Sequence, residues 1–259
     1  MKKLYIVSSG AGGLNYITPE AKAAIEECEV VVSYSKYARE LEELLVGKEL
    51  FTSGMTHEIE RCSQAIEYAK SGKTTCIISN GDANVFGMAT LVVELMDTKN
   101  LWDEIELISL PGVTSFLAAA SKVGAPISQD FAIISLSDRL TDINMIDRRV
   151  RAALETDFII GIYNPKSKKR IKPYQNFLKA LEDNDERIVI IASNVGREGK
   201  EKITITSCAD LIQQDIEHPA VSMSTLIIVC NSNTVRTKNG LVLTPRGYLN
   251  KYELSGELK

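Results

Sequence analysis

Apolar positions along the chain alternate between short β-rich runs and stretches with helical spacing, beginning with a run at Leu4–Val7, a helix-like stretch from Pro19 to Cys28 and a second run at Val30–Ser33. That is the opening of a strand–helix–strand unit. In the helix, Ala21, Ala24, Ile25 and Cys28 fall at i, i+3, i+4 and i+7. One face is therefore apolar, with Thr18 as N-cap and Pro19 at a first-turn position where no amide is needed. The same spacing predicts a helix over Thr56–Ser71 through Ile59, Cys62, Ile66 and Ala69, ended by Gly72 and followed by a strand at Thr74–Ser79. Phe86–Met96 reads as a helix, Ile105–Ser109 as a strand, Pro111-Gly112 as a sharp break and Ser115–Val123 as an alanine-rich helix.

Past the break the pattern continues with strands at Phe131–Leu136, Phe158–Tyr163, Ile188–Ala192, Lys202–Thr206 and Leu226–Cys230, and helices near Asp147–Glu155, Pro173–Glu182 and Cys208–Gln214. Strands without an intervening helix become commoner here. The expectation is an α/β protein of two domains, 1–112 with a largely parallel sheet and 113–259 with a mixed one. No internal repeat or low-complexity segment is visible, and the polar tail Leu241–Lys259 is expected to be partly ordered at best.

The chain has 259 residues, 44% hydrophobic and 25% charged, the proportions of a globular protein. Its formal net charge is −4, and its lysines and arginines read as scattered, which argues against nucleic acid as a ligand. The apolar part of Met1–Ser8 is too short for a signal-peptide core and no apolar run is long enough to span a bilayer, so a cytoplasmic protein without membrane contact is expected. Cys28, Cys62, Cys76, Cys208 and Cys230 are odd in number, lie in apolar patterns and form no Cys-x-x-Cys pair. They read as buried reduced thiols. His57 and His218 are far apart, and no protein-bound metal is expected.

Chemistry is carried by small-residue turns that follow strands. Ser8-Ser9-Gly10-Ala11-Gly12-Gly13 invites a dinucleotide-binding reading, but Asn15 stands where that fingerprint needs its third glycine and the helix begins only at Thr18-Pro19. A plain tight turn and a loop lining another ligand both stay open. Ser79-Asn80-Gly81-Asp82-Ala83-Asn84 ends a strand in a Gly-Asp turn, where Asp82 either receives a ligand's donors or caps the next helix. Leu110-Pro111-Gly112-Val113-Thr114-Ser115 places hydroxyls after another strand, as ligand contacts or as a cap. Tyr163-Asn164-Pro165-Lys166-Ser167 and Met223-Ser224-Thr225-Leu226-Ile227 complete the series.

Taken in order, these segments resemble the tetrapyrrole methylase family, whose members carry a Gly-Pro-Gly loop, a Gly-Asp-Pro turn, Pro-Gly-Val-Thr-Ser and a Ser/Thr-Leu-Ile strand at such positions. Within it the chain is most similar to the precorrin-3B or cobalt-factor III C-17 methyltransferases. That likeness runs through Gly54–Cys62, Gly124–Phe131, Ile134–Asp138 and Tyr163–Ser167, and it spans nearly the whole sequence.

The resemblance implies a pair of α/β domains with an active-site trough between them, unlike a Rossmann-type methyltransferase. It implies S-adenosylmethionine as methyl donor, a tetrapyrrole (precorrin) substrate that carries any cobalt, and a homodimer. Carried over by position, Ala11 and its glycines line the cleft, Gly81, Asp82 and Val85 hold the methionine end, and Thr114 and Ser115 bond the nucleoside. Asn164, Asn194 and Thr225 complete the cofactor contacts. Methylation at C-17 with ring contraction in cobalamin synthesis is the implied reaction; another regiochemistry, or an idle ligand-binding homologue, is the alternative. Contraction needs proton transfers, for which Asp138 and Asp130 are the candidate carboxylates. The family's Gly-Pro-Gly is Gly10-Ala11-Gly12 here, and its Gly-Asp-Pro-Gly is Gly81-Asp82-Ala83-Asn84. A loosened site is expected, which Pro and Gly restored at 83 and 84 should stiffen.

Overall fold

The computed structural model describes residues 2–184 and 186–259, so Met1 of the stretch Met1–Ser8 lies outside the described residues. The chain divides into two compact units, Met1–Ala118 with Gly196–Gly199, and Ala119–Val195 with Lys200–Lys259.

The first unit runs β1 (Lys2–Ser8), α1 (Pro19–Glu27), β2 (Val30–Tyr34), α2 (Ser35–Glu40), β3 (Glu49–Ser53), α3 (Glu58–Lys70), β4 (Thr75–Ser79), α4 (Ala89–Thr98), β5 (Ile105–Leu110) and the start of α5 (Ser115–Val123). Its sheet has the order β3-β2-β4-β1-β5 and is parallel throughout. A strand buried on both faces needs apolar residues in both phases of its pleat, and β1 supplies them. Leu4 and Ile6 pack with Cys62, Ala65, Val92 and Met96 from α3 and α4, whereas Tyr5 and Val7 pack with Ala21, Ala24 and Ile25 from α1. The helices that follow the adjacent strands β1 and β4 therefore cover opposite faces, which leaves the carboxyl ends of these strands as the place where an open α/β sheet holds a ligand.

Thr18 caps α1 as expected, its Oγ1 accepting the Ala21 amide at 3.1 Å. The helix expected from Phe86 begins instead at Ala89. Phe86 sits at φ 54°, and a Cβ on Gly87 would lie 2.6 Å from both the Ala83 carbonyl and Ser79 Oγ. The chain is wound against the end of β4 before it can start a helix.

The second unit continues with the rest of α5, then β6 (Gly124–Ala125), β7 (Phe131–Ser135), α6 (Ile143–Glu155), β8 (Ile159–Tyr163), α7 (Lys172–Ala180), β9 (Ile188–Ser193), β10 (Lys202–Ser207), α8 (Cys208–Gln214), β11 (Thr225–Val229), β12 (Val235–Arg236), β13 (Val242–Leu243) and α9 (Tyr248–Lys251). Its larger sheet, β10-β9-β11-β8-β7, is mixed: β7 and β8 run parallel and the other pairs antiparallel. Ile160, Ile162, Val189, Ile191, Ile227 and Val229 pack with Ile146, Val150, Tyr174, Phe177 and Leu211 from α6, α7 and α8. Asp142 starts α6 earlier than the apolar spacing indicated, its Oδ1 accepting the Asn144 amide at 2.9 Å. The start of the tail is tied into the second unit. β13 pairs with β6 and β12, Val242 is fully buried, and Thr244 Oγ1 donates to the Pro126 carbonyl at 2.6 Å. All five cysteines are free and buried. Burial pushes the Cys62 and Cys230 thiols up to about 12, which keeps them protonated and unreactive.

Candidate functional site

In the first unit every strand ends at the same edge, because all five run parallel. At that edge the turns after β1, β4 and β5 are locked together by backbone bonds. Ser9 donates its amide to the Ser79 carbonyl at 2.9 Å, and Gly10 and Gly81 exchange amide-to-carbonyl bonds of 3.1 and 2.6 Å. Ser8 Oγ accepts the Ala83 amide at 2.9 Å, and Asp82 Oδ2 accepts the Gly112 amide at 3.0 Å. Gly112 has no alternative: a Cβ there would stand 2.4 Å from the Gly81 carbonyl oxygen. Gly81 differs. It needs φ +69°, yet a Cβ would meet only Thr114, at 3.7 Å. Its backbone thus stays open beside the Thr114 hydroxyl, the condition for a ligand to approach a turn closely.

Ala11 is buried, and its carbonyl accepts from Arg197 Nη1 at 3.4 Å. That guanidinium also grips both Glu40 oxygens, at 2.7 and 3.0 Å, and Asn80 Oδ1 at 3.0 Å. Gly196–Gly199 is held to the first unit in this way. The sequence carried no sign of it, since Glu40 lies 157 residues away. Tyr37 stands in the same surroundings, and burial pushes its hydroxyl above the usual phenol range. Val85 donates its amide to the Asp82 carbonyl at 3.0 Å. Thr114, buried, precedes α5, and its carbonyl accepts the Ala118 amide at 3.1 Å; Ser115 is the first residue of that helix.

In the second unit the carboxyl ends of β7, β8 and β9 and the start of β11 form one edge. Asn164, Asn194 and Thr225 all lie there. Both asparagines follow a strand directly in the left-handed region, at φ 50° and 52°. Asparagine tolerates that geometry better than most residues, which is a backbone reason for its presence. Asn164 Nδ2 also donates to Ser135 Oγ at 3.0 Å. Thr225 Oγ1 donates to the Ala220 carbonyl at 2.8 Å and lies 2.9 Å from Ser193 Oγ, so its hydroxyl is engaged inside the protein.

Arg170 gathers this edge. It donates to the Leu136 carbonyl at 2.5 Å, to the Asn164 carbonyl at 2.8 Å and, at 3.3 Å, to the Met223 sulfur. Burial lowers its affinity for the proton and Asp138 opposes that effect; the Asp138 carboxylate lies 4.0 Å from Arg170 Nε. Asp130 is not brought to this edge. Its carbonyl accepts the Ile159 amide at 3.1 Å, which places it at the opposite end of β7 from Ser135.

Among the described residues no group of three or more His, Cys, Asp and Glu side chains is placed to hold a metal ion, and no helix is long and apolar enough to cross a membrane.

A family model described as tetrapyrrole (corrin/porphyrin) methylases matches residues 3–212. The chain is 38% identical to a probable cobalt-factor III C(17)-methyltransferase of Methanocaldococcus jannaschii, over 97% of this chain and 100% of that protein. It is 35% identical to a cobalt-factor III methyltransferase of Priestia megaterium, over 98% of this chain but only 46% of that longer protein, so it spans about half of that relative. Among solved structures, that of the methyltransferase CobJ superposes with a TM-score of 0.86 at 30% identity, covering 95% of this chain and 100% of that one.

Proposed function

Because this chain belongs to the tetrapyrrole (corrin/porphyrin) methylases, we propose that it is an S-adenosylmethionine-dependent C-methyltransferase that methylates C-17 of precorrin-3B or of its cobalt-containing counterpart, with ring contraction, in cobalamin synthesis. The observation that carries the reading is the locked set of small-residue turns at the ends of β1, β4 and β5, open at Gly81 beside Thr114. The choice of C-17 rests on likeness over the full length of the M. jannaschii protein.

The residues fit the methyl donor. Gly81 presents open backbone beside Thr114, whereas Gly10 is glycine because a Cβ there would strike the Tyr16 backbone, and Ala11 is buried. Gly81, Asp82 and Val85 hold the methionine end, Asp82 by fixing Gly112. Thr114 and Ser115 serve the nucleoside, and Asn164, Asn194 and Thr225 are the second unit's proposed contacts. The sulfonium supplies a methyl group whose leaving group is already activated, so the chain's task is alignment and exclusion of water. A ring carbon that gains a methyl cation obliges the macrocycle to shed a proton. Asp138, at the edge that holds Asn164, is the carboxylate proposed to move protons; Asp130, at the far end of β7, is the weaker choice.

We place the protein in the cytoplasm as a homodimer, with any cobalt carried by the substrate and none by the protein. A monomer mass in light scattering refutes the dimer. Incubation with S-adenosylmethionine and the tri-methylated precursor, with and without cobalt, followed by mass spectrometry and carbon NMR, tests the reaction. The expected product carries one additional methyl group, at C-17. A methyl group elsewhere, or none, overturns the reading.

A further inference from the structure

Lysine and arginine are scattered along most of this net-negative chain, but residues 166–172, Lys-Ser-Lys-Lys-Arg-Ile-Lys, hold five cations and no acid. Two of the five have structural work. Lys166 donates to the Ile216 and His218 carbonyls, and Arg170 to those of Leu136 and Asn164. The turn is closed on itself, Ser167 and Arg170 exchanging amide-to-carbonyl bonds of 3.0 and 3.3 Å, with Ser167 Oγ accepting the Arg170 amide at 3.1 Å. Lys168 and Lys169 are thereby held at its tip, exposed. Arg139, also exposed, follows β7 at the same edge, near enough to Arg170 to repel it.

Among the described residues Arg139, Lys168, Lys169 and Lys172 form no ion pair, and Asp138 faces Arg170. The arrangement costs stability. Like charges repel across a short turn, and Lys172 is the first residue of α7, where the positive end of the helix dipole favours an acid; the first turn of α7 contains none and Ile171 offers no side-chain cap. A solvated surface of an acidic protein has no reason to collect such a group beside Asn164. A polyanionic ligand gives one.

We propose that Arg139, Lys168, Lys169 and Lys172 dock the carboxylates at the periphery of an acidic tetrapyrrole, and so select substrates whose side chains are free acids. This deepens the methyltransferase reading and rests on it for the identity of the ligand. The four cations attract the substrate and orient it; they take no part in bond making.

The test pairs Lys168→Glu/Lys169→Glu with a control, Lys238→Glu, an exposed lysine in the β12–β13 turn. S-adenosylhomocysteine binding by calorimetry reports that each variant is folded. In the double variant kcat/KM for the precursor falls roughly tenfold or more, the loss lies mainly in KM, and the decline of kcat/KM with added salt flattens; the control keeps the parent's value and salt slope. In a separate titration, a porphyrin bearing acetate and propionate chains quenches the parent's fluorescence more tightly than the same porphyrin with its carboxylates converted to amides, and the double variant loses that preference. An unchanged kcat/KM in a folded double variant overturns the inference and leaves the methyltransferase reading standing. Absence of methyl transfer by the parent, with carboxylate-dependent porphyrin binding intact, overturns the reading and leaves the inference standing. Tight binding of an oligonucleotide, weakened by the double variant while both porphyrins bind alike, also overturns it.

Discussion

Asp82 Oδ2 accepts the Gly112 amide at 3.0 Å, while its Oδ1 accepts the Asn84 amide at 2.8 Å. The choice between ligand contact and helix cap thus has a further answer: the carboxylate clasps the turn after β4 to the turn after β5. Asp82→Ala removes both bonds, and hydrogen bonds to a charged group contribute about 1.5–3 kcal/mol each. S-adenosylhomocysteine binding should weaken roughly tenfold or more, with a fall in Tm. Calorimetric titration checks this, and an unchanged Kd sinks it.

Ala83 stands where the family has proline, and sequence reasoning expected a restored proline to stiffen the turn. The structure reverses that expectation. The Ala83 amide donates to Ser8 Oγ at 2.9 Å in a buried setting, and proline has no such donor. Ala83→Pro should cost about 0.5–1.5 kcal/mol in urea unfolding, and less in a Ser8→Ala background, where the bond is already absent. Equal costs in both backgrounds would show that the bond contributes nothing.

Arg197 holds Glu40 through a two-pronged contact and reaches Asn80 and Ala11 besides. Lysine cannot reproduce that fork. Arg197→Lys should lower Tm and weaken S-adenosylhomocysteine binding, with a stability loss of about 1–3 kcal/mol. Parent-like values of both would reduce the contact to an incidental ion pair.

His218 is buried, its Nδ1 accepts the Ala220 amide at 3.2 Å, and burial, reinforced by Lys166, lowers its proton affinity. The unfolded chain therefore binds this proton more readily than the folded one. Stability from His218 is complete above the ordinary imidazole range, about 6.5, and is lost as pH falls through and below it. His218→Asn keeps an acceptor for Ala220 but cannot titrate, so its Tm should drop less than the parent's between neutral pH and pH about 5. Parallel Tm curves would refute the assignment.

The elements legible in the sequence are those whose own residues specify them. α1 announces itself through Thr18, Pro19 and its apolar stripe, and α8 through the reciprocal cap of Ser207 and Asp210. The turns of the site could be located because small residues interrupt β-rich runs. What stayed hidden depends on closure of the chain. β3 (Glu49–Ser53) is a half-exposed edge strand with little alternation to read, and β13 is defined by its pairing with Gly124–Ala125 on one side and Val235–Arg236 on the other. Arg197 and Arg170 do their work on carbonyls and carboxylates remote in sequence, for which spacing offers no sign. Asn164 and Asn194, expected as ligand contacts, also stand in the left-handed region, a backbone demand that spacing along the chain does not display.

The discontinuity of the first unit has a consequence for how the protein is made. Its last four residues, Gly196–Gly199, lie beyond a long stretch that belongs to the other unit. Glu40 and Asn80 leave the ribosome early, but the guanidinium they bind follows only after residues 119–195 have been synthesised, roughly 4–15 s later at ordinary elongation rates. Until then the turn at Ala11 lacks its Arg197 contact. The first unit therefore completes its contacts only after residues 119–195 have been made, and expressing residues 1–118 alone should leave the turns after β1, β4 and β5 assembled but without the Arg197 clasp.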